Sequence, residues 1–264
     1  MQSKLTGKKI VVTGASSGIG EMLVKQIASA GGTPIMLARS LDKLRQLQKQ
    51  LKEEHQIHAS FYMVDLTDEA DVYNVVNTVL KEQGTIHALI NNAGAGVFQY
   101  VIDTRWEDIE LMYQLNVLAV IRITKLFLPH FMDNNEGHII NIASQAGKIS
   151  TPKSAVYAST KHAILGFTNA LRQEVARNQI QVTAVNLGPV RTNFFALADP
   201  EGNYQKNVEK YMLDPGKVAE KITKHLLTNK REINAPLWMD IGSKFYQLFP
   251  GLTEKVMKKQ FNKK

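Results

Sequence analysis

Tyr157 and Lys161 stand four residues apart in a stretch of helical character, so both side chains lie on one helix face within reach of each other. A phenol titrates near ~10, too weak an acid to trade protons freely at neutral pH. An ammonium ~4 Å away, at an effective dielectric of about 20, supplies about 4 kcal/mol, equivalent to a depression of up to ~3 pK units. The pair therefore predicts a tyrosine tuned by lysine for general acid–base work. Many helices carry Tyr-x-x-x-Lys without any chemistry, and Ser144 gives this one its weight. It follows the apolar run Ile139-Ile140-Asn141-Ile142-Ala143, at the carboxyl end of a strand where open α/β sheets hold ligands. From there its hydroxyl can hydrogen-bond a substrate oxygen.

A second group of residues suits a phosphate. Thr13-Gly14-Ala15-Ser16-Ser17-Gly18-Ile19-Gly20 joins the first strand-like run to the first helical one. Gly14 permits a tight turn, Gly18 lets backbone approach a pyrophosphate, and Gly20 lets the helix press on the sheet. The helix N-terminus offers free N–H groups and positive dipole to the anion, and Ser16 and Ser17 add donors. The spacing Gly-x-x-x-Gly-x-Gly differs from the dinucleotide fingerprint Gly-x-Gly-x-x-Gly. After the second strand-like run, Ala38 leaves no carboxylate to bind a ribose 2′-hydroxyl, and Arg39 offers a guanidinium suited to a 2′-phosphate. Asp42 reads better as an acid in the first turn of the following helix.

In order along the chain, the Thr-Gly-x-x-x-Gly-x-Gly turn, Asn91-Asn92-Ala93-Gly94, Ser144 and the Tyr157/Lys161 pair resemble the short-chain dehydrogenase/reductase family. The likeness spans residues 7–236. It implies an oxidoreductase moving a hydride between NADP(H) and a small-molecule carbonyl or alcohol, with the catalytic set Asn116, Ser144, Tyr157 and Lys161. Ser144 and Tyr157 would polarise the carbonyl, Tyr157 would protonate it, and Lys161 would lower the phenol pKa and hold the nicotinamide ribose. Asn116 would help hold a water for proton relay. The implied cofactor contacts are Gly14, Ser16, Ser17, Gly18, Ile19, Gly20, Arg39, Asp65, Leu66, Asn92, Ala93, Gly94, Tyr157, Lys161, Pro189, Val190 and Thr192. Asn186-Leu187-Gly188-Pro189-Val190-Arg191-Thr192 is similar to the family's Pro-Gly-x-x-x-Thr segment, with Leu187 where proline is commoner.

The elements that must hold these residues follow from hydrophobic pattern. Strands are predicted over residues 9–13, 34–38, 60–64, 88–91, 137–143, 181–186 and 232–236, and helices over 20–30, 41–55, 69–83, 106–132, 157–178 and 215–229. Short β-branched runs alternating with helices predict one doubly wound α/β Rossmann-like domain, a seven-stranded parallel sheet with helices on both faces. Ser40 and Asp214 are placed to cap helices, the latter followed by Pro215. Residues 188–213 are too long for a plain connector and are expected to form a substrate lid. Phe194 and Phe195 within it are candidate substrate contacts beside Ser144 and Tyr157, and Leu197 and Tyr204 also call for apolar cover. The apolar side chains favour an apolar ketone or aldehyde.

There are no cysteines, which excludes disulfides, thiolate catalysis and cysteine-ligated metals and fits a reducing cytoplasm. The seven histidines lack metal-ligand spacing, so no metal is expected; His55 and His58 read as surface residues, and His162 points away from Lys161. The N-terminal residues lack a signal-peptide pattern, and no uninterrupted apolar run approaches the ~18 residues of a membrane span, so a soluble cytoplasmic protein is expected. Of the net charge of +8, residues 244–264 carry six lysines against one glutamate, which predicts a basic tail rather than a nucleic-acid-binding surface. Ile241, Phe245, Leu248 and Phe249, then Val256, Met257 and Phe261 after the Pro250-Gly251 break, recur at helical spacing. The expectation for 238–264 is packing on the body or on a second subunit, with membrane contact the lesser alternative. By family analogy, the two long helices would build a homodimer or homotetramer. Two rival readings are an NADP(H) sensor without turnover and a membrane-surface reductase of lipid- or steroid-type carbonyls.

Overall fold

A computed structural model describes residues 4–199 and 202–261. Its strands are β1 (Lys9–Thr13), β2 (Thr33–Ala38), β3 (Ser60–Met63), β4 (Ala88–Asn91), β5 (Gly137–Ile142), β6 (Ile180–Leu187) and β7 (Glu232–Ala235). They form one seven-stranded parallel sheet, as expected, in the order β3-β2-β1-β4-β5-β6-β7. The helices are α1 (Gly18–Ser29), α2 (Leu41–His55), α3 (Glu69–Gln83), α4 (Trp106–Tyr113), α5 (Ala119–Asp133), α6 (Ala155–Glu174), α7 (Phe194–Ala198), α8 (Asn203–Val208), α9 (Pro215–Lys224), α10 (Leu237–Leu248) and α11 (Pro250–Phe261).

Alternation along the strands divides two cores. Val11, Ile35, Leu89 and Ile139 face one layer, with Val72 and Val76 of α3, Phe127 and Phe131 of α5 and Leu171 of α6. Ile10, Val12, Met36, Ile90 and Ile140 face the other, with Leu23 and Ile27 of α1, Leu44 of α2 and Ile222 of α9. Each fully buried aliphatic or aromatic side chain of this kind contributes about 1.5–3 kcal/mol. β1 lies between β2 and β4, and the helices after β1 and β4 cover opposite faces. That switch opens a crevice at the carboxyl ends of the strands, where Gly14, Asn92 and Ser144 sit.

Asp214 caps α9 by accepting from Lys217 N (2.9 Å), with Pro215 in the first turn, as expected. Ser40 occupies the cap of α2 without a side-chain bond to it. α9 ends five residues before the expected limit. Leu227 takes a positive φ of 56° and donates its N–H to Nδ1 of the buried His138 (2.9 Å), drawing the chain out of the helix. The stretch Trp106–Asp133 is long and apolar enough to cross a membrane by length and composition. Here its apolar side, Ile123, Phe127 and Phe131, covers the sheet. It is also interrupted: Gln114–Leu118 forms a π-helical turn between α4 and α5, where one continuous helix was predicted.

Residues 188–213, expected as irregular chain, hold α7, α8 and a 3₁₀ turn at Glu209–Tyr211. Their ends are pinned together by Arg191 N to Leu213 O (2.9 Å) and Leu213 N to Pro189 O (2.8 Å). Of the readings given for the C-terminal stripe, packing of its apolar side on the body is not what α10 shows. Ile241, Phe245, Leu248 and Phe249 stand exposed, and α10 turns Asp240 and Ser243 to the body instead. The cause is Lys148, whose ammonium meets Glu232 Oε2 (2.7 Å) and Asp240 Oδ1 (2.9 Å) and so fixes which side of α10 faces inward. Burial pushes the Glu232 and Asp240 carboxyls up, but the Lys148 ammonium outweighs it and holds both below the ordinary carboxylate range. Val256 is exposed as well; the Met257 and Phe261 side chains and residues 262–264 lie outside the described residues.

Candidate active site

The turn after β1 is built by close approach. A Cβ on Gly20 would stand 2.1 Å from Gly14 O and 2.6 Å from Asn92 Nδ2, and one on Gly14 would stand 2.9 Å from Ala93 Cα. Gly14 and Gly18 also have φ of 65° and 57°, the left-handed region that favours glycine. The turn is clasped from behind by a residue that the sequence analysis passed over. Thr13 Oγ1 accepts from Asn92 N (2.9 Å) and Ala93 N (3.1 Å), locking the β4 turn onto the β1 turn. The Asn92 amide donates to Thr13 O (2.9 Å) and Gly14 O (3.3 Å). Its amide nitrogen is therefore engaged in the scaffold, while the residue as a whole still lines the cavity. Thr13 precedes the first glycine directly, so its position was visible in the sequence although its two-sided clasp was not.

Ser16, Ser17, Gly18 and Ile19 line one continuous cavity with Ala38, Arg39, Asp65 and Leu66. Arg39 is exposed at its edge. Asp65 Oδ1 accepts from Thr67 N (2.9 Å) and Thr67 Oγ1 (2.7 Å), which together with the nearby Arg39 hold the carboxyl below its ordinary range. It serves its turn while bordering the cavity. Ala93, Gly94, Pro189, Val190 and Thr192 line the same space, and Thr192 lies against Gly18, 3.3 Å from where a Cβ would be. Leu187 ends β6 and offers its carbonyl to Ser144 Oγ (3.3 Å).

Ser144, Tyr157 and Lys161 come together at the far end of that cavity. β5 delivers Ser144, and α6 carries the other two on its buried face. Ser144 lies close enough to the Tyr157 phenol to pull its pKa down, while its Oγ accepts from Ala146 N (3.1 Å). Tyr157 is 9% exposed and Lys161 6%. Lys161 Nζ lies 5.7 Å from the Tyr157 ring centroid and donates to Ile142 O (3.0 Å). The balance of charge and burial differs from the sequence expectation. Burial pushes the phenol up to about 12 against the pull of Ser144, and pushes Lys161 down to about 8. Desolvation is the largest influence on the phenol, and the Lys161 ammonium is hydrogen-bonded to the Ile142 carbonyl instead.

Asn116 sits on the π-helical turn, and the extra residue there aims it at the β4 turn. Its Oδ1 accepts from Ala95 N (2.8 Å), and its Nδ2 donates to Ala95 O (2.8 Å) and Thr160 Oγ1 (3.1 Å). The amide is thus committed to holding residues 94–96 against α6 and has no donor left for the expected water. A Cβ on Gly94 would meet Asn116 Oδ1 at 3.1 Å and Lys161 Nζ at 3.8 Å, so the two side chains flank one glycine.

Phe194 packs on Tyr157 (5.9 Å between ring centroids) and Phe195 on Phe194 (5.5 Å), so the expected lid residues do reach the site. Phe98 and Tyr204, not singled out as site residues, complete the cluster at 5.5 Å from Tyr157 and 4.7 Å from Phe98. Gly96 is required by it, since a Cβ there would stand 2.6 Å from Phe194 Cζ and 3.2 Å from Tyr157 Cδ2. Leu197 does not join them; it is 81% exposed. His162 is exposed, with Nδ1 at 2.9 Å from Ala158 O. Among the described residues no group of His, Asp and Glu is arranged to hold a metal.

Known proteins of this kind are numerous. The chain is 35% identical over 227 residues, 83% of this chain and 87% of the other, to an NADP-dependent 3-hydroxy acid dehydrogenase of Schizosaccharomyces pombe. Its fold is similar to a short-chain dehydrogenase from Sphingobium yanoikuyae in complex with NADPH, with a TM-score of 0.78, 26% identity, and 92% of this chain and 96% of that one covered. It is also similar in fold to a short-chain dehydrogenase/reductase from Burkholderia phymatum in complex with NAD, with a TM-score of 0.84, 20% identity, and 94% and 96% covered. The family model described as short chain dehydrogenase matches residues 8–201. The chain belongs to the short-chain dehydrogenase/reductase family of oxidoreductases.

Proposed function

We propose that this chain is an NADP(H)-dependent reductase of apolar ketones or aldehydes, running alcohol oxidation in reverse. The observation that carries the reading is the convergence of Ser144, Tyr157 and Lys161 on the same cavity as the glycine turn and Arg39. The cradle fits a dinucleotide: Gly14 and Gly18 line it, Gly20 behind them lets the turn close on itself, and the N-terminus of α1 opens onto it. Arg39 beside Ala38 suits a 2′-phosphate, and the NADP-dependent relative and the NADPH-bound neighbour support that choice. A bound nicotinamide supplies the hydride.

The protein's own groups manage the oxygen. Ser144 and Tyr157 hydrogen-bond the carbonyl oxygen, and Tyr157 gives it a proton as negative charge develops there. Burial keeps the phenol protonated at neutral pH, the state from which it can donate to the carbonyl oxygen. Lys161 holds ribose hydroxyls and restores the proton, and Asn116 is a positioning residue that keeps residues 94–96 against the cofactor. Residues 188–213 act as the lid through Phe194 and Phe195. Exposed Leu118 and Met132, on and beside α5, suit pairing with a second copy as a cytoplasmic homodimer or homotetramer. A sensor without turnover has no observation in its favour.

The test is NADPH oxidation, compared with NADH, against a panel of apolar aldehydes and ketones. Tyr157→Phe is expected to lower kcat by about 10²–10⁴-fold with NADPH affinity retained. Undiminished turnover by that variant overturns the reading.

A further inference from the structure

The cavity has a volume of about 1910 Å³. Single-ligand pockets run to roughly 300–1,000 Å³, so a dinucleotide leaves room for a second, sizeable ligand. The direction of that room is set by α10 and α11. Met239 lies against Gly188, its Sδ 2.7 Å from where a Cβ would stand, next to the segment that borders the site. From there the lining continues along Trp238, Gly242 and Phe245 of α10 to Leu252 and Val256 of α11. From Trp238 to Phe245 is seven residues, so this wall extends ~10 Å along the helix axis.

These side chains line the cavity yet stand open: Trp238 is 56% exposed and Val256 71%. The Tyr211 ring meets Trp238 edge to face at 5.7 Å and bridges to the lid, and Phe249 packs on Phe245 at 5.3 Å. Contiguous apolar exposure of this kind marks a binding surface. Its position selects the occupant, because the strip is continuous with the space at Ser144 and Tyr157 and does not form a separate face. On the other side the phenol ring is already closed in by Phe98 and Phe194. A carbonyl carbon held at Tyr157 therefore has little space on one side and an apolar groove on the other.

We infer that the substrate is an asymmetric carbonyl compound with one small substituent and one long apolar chain, the chain lying along Trp238, Met239, Phe245 and Leu252. The inference rests on the reductase reading above and names the substrate class for the same site. α10 and α11 then determine specificity, and the inward capture of Asp240 by Lys148 is what holds the groove open beside the catalytic residues.

The experiment is a series of linear methyl ketones from four to twelve carbons, below their aggregation limits, with NADPH as reductant. Each methylene added within the groove is expected to raise kcat/KM about fourfold, the equivalent of ~0.8 kcal/mol per buried CH₂, chiefly through KM, until the chain passes Leu252. Phe245→Asp is expected to lower kcat/KM for the ten-carbon ketone at least tenfold more than for the four-carbon ketone. A flat series with measurable turnover overturns the groove and leaves the reductase reading standing; no turnover of any member overturns both. Sedimentation and flotation on anionic vesicles, each on parent and Phe245→Asp, distinguish other occupants. If the variant halves the mass or abolishes vesicle binding while keeping the parent's chain-length profile, the strip belongs to a second copy or to a membrane, and the proposal fails.

Discussion

The two ends of the cavity are built by different means. At the cofactor end, backbone meets backbone: Gly20 against Gly14, Gly14 against Ala93, with Thr13 and Asn92 tying both turns through four hydrogen bonds. No side chain there can be enlarged without moving main chain. At the substrate end, rings and aliphatic side chains from α7, α8, α10 and α11 form the wall, several half in water, and the firm attachment is one lysine between two carboxylates. A shared cofactor demands one shape, which close-packed backbone provides. Substrate choice can vary with side chains on helices that the sheet does not need.

Substitutions can break that contrast, and the largest effect is expected at Gly20. Gly20→Ala puts a methyl group 2.1 Å from Gly14 O, so the turn must open. NADPH affinity is expected to fall at least 100-fold, about 3 kcal/mol, with a lowered Tm; fluorescence titration of NADPH checks it. An alanine variant that binds normally shows that the cofactor end is less rigid than its contacts imply.

Lys148→Met tests the other end. It leaves Glu232 without its cation and Asp240 with only the exposed Lys244 (3.0 Å). Breaking a buried pair costs about 3–5 kcal/mol, and the part-exposed Glu232 reduces this to about 2–3 kcal/mol. The expected result is a lower Tm and early proteolysis in α10, with NADPH affinity within twofold of the parent. Because both carboxyls titrate below their ordinary range when folded, this stabilisation is full above the unfolded carboxylate pKa and is lost as the pH falls through that range. The Tm difference between parent and variant should therefore shrink in acid.

Lys161 lies between the two ends. Burial sets its ammonium near 8, so the charge available to a ribose is present below that pH and disappears above it. NADPH affinity is expected to weaken about tenfold from pH 7 to pH 9, the loss of protonated fraction across a single titration. A flat affinity over that range means the dinucleotide does not depend on this ammonium.

The same contrast explains what could be read from the amino-acid sequence. The seven parallel strands, Gly14, Gly18 and Gly20, and the Ser144–Tyr157–Lys161 set were legible because backbone geometry admits few residue types at those positions and fixes their spacing. Side-chain partnership was not. Asn92 borders the cavity as its motif implied, but the bonds of its amide to Thr13 and Gly14 could not be read from the motif. The phenol was assigned a lowered pKa from its distance to Lys161 in sequence, yet Ile142 O takes that ammonium and burial prevails. The π-helical turn at Gln114–Leu118 leaves no hydrophobic signature, because the apolar period resumes on its far side. The stripe on α10 was read from period alone, whereas the inward face was chosen by Asp240, a charge that pattern reading places in solvent.

The smallest effect, and the closest test of how the substrate end is joined to the rest, is expected at Gly242. It lies inside α10, and a Cβ there would meet nothing within 4 Å, the opposite of Gly20. Alanine in a helix interior is favoured over glycine by roughly 0.5–1 kcal/mol. In a chain of this size that corresponds to a Tm about 1–4 °C higher, provided α10 melts together with the sheet. Calorimetry of Gly242→Ala against the parent reads the difference. A rise means that the Lys148 link makes the substrate wall part of the cooperative core. An unchanged Tm means that α10 opens on its own before the sheet melts, so that the groove beside the catalytic residues is a separately folding unit. A lowered Tm would contradict the open surroundings of Gly242 altogether.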